Sequence, residues 1–241
     1  MTRANPVAGQ LTLLATTSMV LPGRPVLRVV IPCSKRKVAS VETATRAELD
    51  ERRAETEARL AGQARAARDL YTGRAYRRAV MTVDSFAARR PDLPVALHIA
   101  SAGYGLVAAE DQLVPYEAVM GTNRQQWVTR GRALGMPAQA RILTESCDLT
   151  LFALSQPYFH AAALPDFEPR SGFAVVIGAS SVSASPHLRA FRAGRREARA
   201  LGTTEREVAV VVLGRLLGCI ASEGLAAAQR LPDDPLEWPQ Q

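Results

Sequence analysis

Apolar positions in this chain gather into short dense runs, separated by longer polar stretches of helical composition. Val26–Pro32 (VLRVVIP), Leu93–Ala100 (LPVALHIA), Leu149–Leu154 (LTLFAL) and Phe173–Ile177 (FAVVI) are nearly continuous, β-branched runs, and each predicts a buried strand. A further short strand is expected at Gln10–Leu14. Residues 41–69 are rich in Ala, Glu and Arg, with no Pro and no Gly before Gly62, which predicts a helix. Its apolar stripe is thin (Leu49, Leu60, Leu70), so most of that helix should face water. Helices are also predicted over Ala75–Arg89, ended by Pro91, and over Gln125–Leu134, stopped near Gly135 and Pro137. In the tail, Leu188–Leu201 and Glu205–Gly218 read as helices separated by Gly202-Thr203-Thr204, with Thr204 as N-cap and Glu207 as its capping-box partner. The last ten residues, with Pro232, Pro235 and Pro239, read as loose.

Strands alternating with helices predict an α/β fold: a mostly parallel sheet of about four to six strands flanked by helices, with a helical C-terminal tail. The chain divides into an N-terminal extension (1–25), an α/β domain (26–180), a helical segment packed on it (181–231) and the loose tail (232–241). In a parallel sheet the carboxyl ends of the strands share one edge, where ligands bind. Ser34, Ser101, Ser155 and Gly178 follow the four runs and would meet at that edge.

Composition narrows the class. At 241 residues, 47% hydrophobic and 22% charged, the chain is one medium domain or two small ones, and not a disordered, collagen-like or disulfide-scaffold protein. Cys33, Cys147 and Cys219 form no CxxC pair, so no metal site of neighbouring ligands is expected and a reducing compartment is. No motif calls for a cofactor. No apolar run reaches the ~18–20 residues of a membrane span, and Leu11–Leu21 is interrupted by Thr12, Thr16, Thr17 and Ser18. No signal peptide, no membrane partner and a cytoplasmic location are therefore expected. The oligomeric state is left open.

The net charge of +7 suggests a polyanionic partner, DNA or RNA. Its composition is lopsided: of 30 basic residues only Lys35 and Lys37 are lysines. Both lie in Cys33-Ser34-Lys35-Arg36-Lys37, at the end of the first predicted strand. A thiol, a hydroxyl and two compact cations there suit an anion or nucleobase site, and a buried lysine can act as nucleophile or base. The plain alternative is a solvated basic turn. Ser101-Ala102-Gly103-Tyr104-Gly105 forms a second candidate, since glycines let the backbone approach a ligand and Tyr104 can stack on a base; a tight turn explains it equally. His98 reads as a core or sheet-face histidine. Asp111 is a candidate general acid. Arg189, Arg192, Arg195, Arg196 and Arg199 form a basic stretch suited to phosphate contacts. The spacing of Ala198, Gly202 and Val208 is compatible with a helix-turn-helix, but the second helix (VAVVVL) is too apolar to lie in a groove, which favours a packed hairpin.

Four segments together resemble a known family: Val30-Ile31-Pro32-Cys33-Ser34-Lys35-Arg36-Lys37, Ala67-Arg68-Asp69-Leu70-Tyr71, Ile99-Ala100-Ser101-Ala102-Gly103-Tyr104-Gly105-Leu106-Val107 and Gln112-Leu113-Val114-Pro115-Tyr116-Glu117. This pattern is similar to the YaaA-related superfamily, in its branch of small bacterial and phage proteins, and covers about residues 26–160. The first segment also resembles part of the catalytic domain of archaeosine synthase, which acts on a 7-deazaguanine base in tRNA. The resemblance implies a sheet-based α/β fold and a link to DNA or to modified nucleobases. By position it implies a site lined by Cys33, Ser34, Lys35, Lys37, Tyr71, Ser101, Gly103, Tyr104, Gly105, Pro115 and Tyr116.

The expected function is an enzyme that processes a nucleobase in DNA or RNA, by base modification, base exchange or N-glycosidic cleavage. Cys33, Ser34, Lys35, Lys37 and Asp111 would serve as catalytic groups, and Tyr71, Tyr104 and Tyr116 would stack on a displaced base. The alternatives are a non-catalytic DNA-binding or stress-response protein using the 189–199 arginines, and an enzyme acting on a free nucleoside or nucleotide; a small-molecule nucleobase is a candidate partner.

Overall fold

A computed structural model describes residues 26–178 and 185–239. The expected strand at Gln10–Leu14 and the extension 1–25 lie outside the described residues. In chain order the elements are β1 (Leu27–Pro32), β2 (Ala44–Thr45), α1 (Arg46–Glu51), α2 (Arg53–Leu60), β3 (Arg65–Ala66), α3 (Ala67–Leu70), α4 (Arg74–Arg89), β4 (Val95–Ser101), β5 (Gly105–Ala108), β6 (Gln112–Leu113), β7 (Tyr116–Glu117), α5 (Arg124–Ala133), α6 (Met136–Glu145), β8 (Leu149–Ala153), α7 (Gln156–Ala161), β9 (Phe173–Ile177), β10 (Leu188–Phe191), α8 (Arg195–Ala200), α9 (Val208–Glu223) and α10 (Ala227–Arg230).

The central sheet has six strands in the order β10-β9-β8-β1-β4-β5. Every pairing is parallel except β4 with β5, which close an antiparallel hairpin through the glycine turn. The fold is therefore α/β, with a mostly parallel sheet and a largely helical C-terminal region. Both faces are covered, which is why the strands read as continuous apolar runs. Leu27, Val29, Ile31, Leu151 and Val175 point into a core built with α4 and α9, whereas Val30, Phe152 and Val176 point into a second core built with α6 and α7. Chain order reverses between β1 and β8, the crevice position in doubly wound sheets.

Four expectations are corrected. The 41–69 stretch is no single helix: it breaks at Arg52 (φ −137°) into α1 and α2, and then gives up helix to pair β3 with β6. The stretch 188–201 begins as a strand, because Leu188–Phe191 extends the sheet beside β9, and helix starts only at Arg195. Glu207 does not cap α9 with Thr204; its carboxylate is drawn instead to Arg74, at 2.6 Å. The tail is packed: Trp238 is 2% exposed and stands edge-on to Phe191 with ring centroids 4.7 Å apart.

Candidate functional site

The Cys33–Lys37 segment leaves β1 at the reversal of strand order. Cys33 N–H still donates to Ala100 of β4, at 2.9 Å. Ser34 then makes the turn: its hydroxyl donates to Arg36 O (2.5 Å) and accepts from Gly73 N (3.0 Å). A Cβ on Gly73 would sit 2.6 Å from the Ser34 Cβ, so the approach requires glycine. Beyond the turn, residues 36–38 run antiparallel to residues 70–72, with Thr72 N–H donating to Arg36 O (3.0 Å) and Val38 N–H to Leu70 O (2.9 Å). That pairing sets Lys37 against Tyr71.

Behind Cys33 lies a closed group of hydroxyls. Tyr71 Oη donates to Ser101 Oγ (3.2 Å), Ser101 Oγ is 2.7 Å from Tyr116 Oη, and Tyr116 Oη is 2.9 Å from Tyr71 Oη. Three hydroxyls in a triangle satisfy each other when each donates once and accepts once. Backbone N–H groups of Gly103 and Tyr104 also reach Ser101 Oγ (3.3 and 3.1 Å), which ties the glycine turn to the triangle. Tyr116 Oη is 4.0 Å from Cys33 Sγ, and the hydroxyl of Tyr158, absent from the sequence reading, is 3.0 Å from the same sulfur. The Lys37 ammonium lies 4.3 Å from the Tyr116 ring centroid and 5.8 Å from that of Tyr71.

Burial governs the protonation of this group. It pushes the phenols of Tyr71, Tyr116 and Tyr158 well above their usual range, with Cys33 raising each further, so all three are neutral donors at pH 7. Burial also lowers the Lys37 amine from its ordinary value, against an opposing pull from Cys33 and Glu117. His98 behaves as a sheet-face residue: burial holds its pKa down to about 4 and it is neutral.

Cys33, Ser34, Lys35 and Arg36 open onto a cavity of about 1170 Å³ at the carboxyl edge of the sheet. Its walls include Ser155 and Gln156 after β8, Gly178 after β9, and the first residues of α4 and α9. The edge predicted from the strand ends therefore exists, with one exception: Ser101 is fully buried and lies beneath it. Tyr71 and Tyr116 are also beneath the wall, 2% and 1% exposed, so their rings are not available to stack on a base. Tyr104 packs behind Tyr116, with its ring under the Arg53 guanidinium at 4.8 Å.

The remaining candidates position the loops. Gly103 lies so close to the Tyr116 ring that a Cβ would stand 2.8 Å from it, and Gly105 takes φ +84° at the hairpin. Pro115 O accepts from Ala44 N (2.8 Å), fixing the approach to Tyr116. Asp111 accepts from Ala108 N (2.9 Å) and closes the turn after β5, away from the cavity. Two arginines that the sequence did not single out hold the glycine turn from behind. Arg130, 3% exposed, donates to Ala102 O (3.0 and 3.1 Å) and pairs with Asp50 (2.5 Å), while Arg53 donates to Gly103 O (3.0 Å).

Of the basic stretch in the tail, Arg189 pairs with Asp233, Arg195 with Glu205 (2.8 Å) and Arg196 with Asp234 (2.6 Å), whereas Arg192 and Arg199 are exposed. Among the described residues no group of three or more His, Cys, Asp or Glu could hold a metal ion, and no helix is long and apolar enough to cross a membrane. No family model matches the chain, and no curated protein matches it.

Proposed function

We propose that this protein processes a nucleobase, with Cys33 as the nucleophile in the crevice between β1 and β8. One observation carries the reading: four separate segments bring Cys33, Lys37, Tyr71, Ser101 and Tyr116 into one connected cluster directly beside a large cavity. A solvated basic turn needs no such buried hydroxyl network. The same segments carry the resemblance to YaaA-related proteins, which links them to modified bases.

The chemistry divides by position. Cys33 lines the cavity, and its Sγ has a neutral phenol 3.0 Å away on the buried side, a donor suited to stabilising sulfur as it gains charge. Lys37 lies behind the cavity wall, over the Tyr116 and Tyr71 rings, and its amine, made easier to deprotonate by burial, acts on the cavity through the cluster. Lys35, Arg36, Arg74 and Arg206 stand at the cavity wall and suit phosphate oxygens. A non-catalytic nucleic-acid-binding role through the tail would draw on Arg192 and Arg199, since Arg189, Arg195 and Arg196 are paired with carboxylates. A free nucleoside or nucleotide as substrate is the second reading, favoured by a cavity about the size of a whole nucleotide site.

The test is to incubate the protein with DNA, RNA and free nucleosides and to resolve the digested nucleosides by mass spectrometry. Wild type is expected to alter one base, and Cys33→Ser and Lys37→Met are each expected to lower the rate by about a hundredfold or more. A Cys33→Ser variant as active as wild type, or no altered nucleoside in any arm, sinks the proposal.

A further inference from the structure

We infer that the outward face of α4 is a track for one nucleic-acid strand, which leads its backbone to the cavity. This rests on the base-processing reading and names the polymer and its path. Arg74, Arg77, Arg78 and Arg89 share an arc of about 120° on a helix turning 100° per residue, and Arg36 joins them from the Cys33–Lys37 segment. Together they line an open groove of about 590 Å³, in which the side chain of Met81 is 70% exposed. Arg36 and Arg74 belong to this groove and to the cavity wall alike, so the two are continuous.

The charge on this face is poorly compensated. Every Asp and Glu of the sequence lies in the described residues. Among them only Glu207 pairs with these arginines, at 2.6 Å from Arg74 and 3.8 Å from Arg78. Asp84, the single acid of α4, is held by Arg68 at 2.8 Å. Five guanidiniums thus face one carboxylate, whereas in the tail Arg189, Arg195 and Arg196 each have a carboxylate of their own.

The geometry is one strand wide. At 1.5 Å per residue, Arg74 and Arg78 are about 6 Å apart along the axis and Arg74 and Arg89 about 22 Å. Arg74 and Arg78 are thus spaced like successive phosphates and Arg89 would meet one several nucleotides further on, all within one arc of the helix, with no second track on α4 to meet the opposite strand of a duplex. The exposed Met81 thioether in mid-row gives a base or sugar an apolar surface between phosphate contacts.

Binding of a fluorescein-labelled 15-mer of thymidylate, followed by anisotropy from 50 to 300 mM salt, tests the track. Wild type should bind with a steep salt dependence, and Arg77→Gln/Arg89→Gln should bind at least tenfold more weakly with a slope shallower by about 1.4, at about 0.7 per phosphate lost. Arg192→Gln/Arg199→Gln should bind as wild type does, and a duplex of the same length should bind less tightly than the strand. The inference is overturned if wild type does not bind, if Arg77→Gln/Arg89→Gln binds normally, if the tail variant loses as much, or if the duplex is preferred. Both variants should keep the wild-type thermal midpoint and any reaction on a free nucleoside. Loss of strand binding with that reaction intact supports the track, and strand binding lost in Arg77→Gln/Arg89→Gln while Cys33→Ser changes no chemistry leaves the track standing and removes the base reading.

Discussion

Lys37 is the residue where position and chemistry bear on each other most directly. Its folded amine is lowered by burial, so over the range between its folded and unfolded values the unfolded chain binds more protons. Stability from this residue therefore rises as pH rises through that range and is reduced below it. Lys37→Met is accordingly expected to be at least as stable as wild type at pH 7, with wild type closing the difference as pH approaches 10, measured as urea midpoints at the two pH values. A variant less stable than wild type at both would show that the contacts of the ammonium with Tyr116 and Glu117 outweigh its desolvation. The hydroxyl triangle makes the opposite case, since each member is a buried group satisfied by the others. Tyr116→Phe leaves Ser101 and Tyr71 each short of a partner and should cost about 1–3 kcal/mol in urea unfolding. Of this cluster, Cys33 and Lys37 were legible because two lysines against a background of arginine mark one segment, whereas Tyr71 and Tyr116 came only with the family resemblance. Arg130 and Arg53 were not, for the same reason: among so many arginines nothing distinguishes the two that hold backbone carbonyls in the interior.

The elements were legible where burial on both faces leaves a dense apolar run, as in β1, β8 and β9, and less so where a few residues carry the pairing. β10 is only Leu-Arg-Ala-Phe; Arg189 lies 5.0 Å over the Phe191 ring and reaches Gln229 O, so a charged residue that suggests a solvated helix instead covers the sheet edge. α6 was hidden by Gly135 and Pro137, which read as a stop. Gly135 takes φ +68° at the end of α5, and Pro137 in the first turn of α6 needs no N–H donor there, so the same pair ends one helix and begins the next. The packing of α5 on α7 depends on a further glycine that carries no conformational signal. A Cβ at Gly131 would stand 2.1 Å from Ala161 O and 2.5 Å from its Cα, backbone atoms that cannot move independently. Gly131→Ala should destabilise by about 3 kcal/mol, whereas Gly62→Ala, with nothing within 4 Å, should be neutral or slightly stabilising. Equal midpoints for the two variants would mean that α5 and α7 separate freely.

At the scale of the molecule, the sheet and its crevice depend on a C-terminal region that sequence composition presents as an appendage. α9 is apolar on most of its surface because it fills the core between α4 and the sheet, with Val212, Leu213, Leu216 and Leu217 fully buried. It is a core helix packed on α4 and the sheet, neither a groove-reading helix nor one arm of a hairpin with α8. Prolines at 232, 235 and 239 suggested a loose end, yet they set turns that return the chain to the sheet: Asp234 caps the turn at Leu236, and Trp238 Nε1 donates to Pro232 O at 2.8 Å. The Trp238 carbonyl accepts from Arg215 of α9, and its ring covers Phe191 of β10, so one residue joins the edge strand to the core helix. Trp238→Ala should therefore cost about 3–5 kcal/mol, lowering the thermal midpoint by on the order of 10 °C. Asp233→Asn, whose carboxylate is 88% exposed, should leave it within about 0.5 kcal/mol despite its ion pair with Arg189. Because α9 also supplies Ala209 and Val210 to the cavity wall, the Trp238→Ala protein should lose the proposed base-processing activity at temperatures below its unfolding midpoint, as the α9 side of the crevice loosens first. Activity that tracks the global unfolding curve instead would make Trp238 a stability residue with no separate hold on the site.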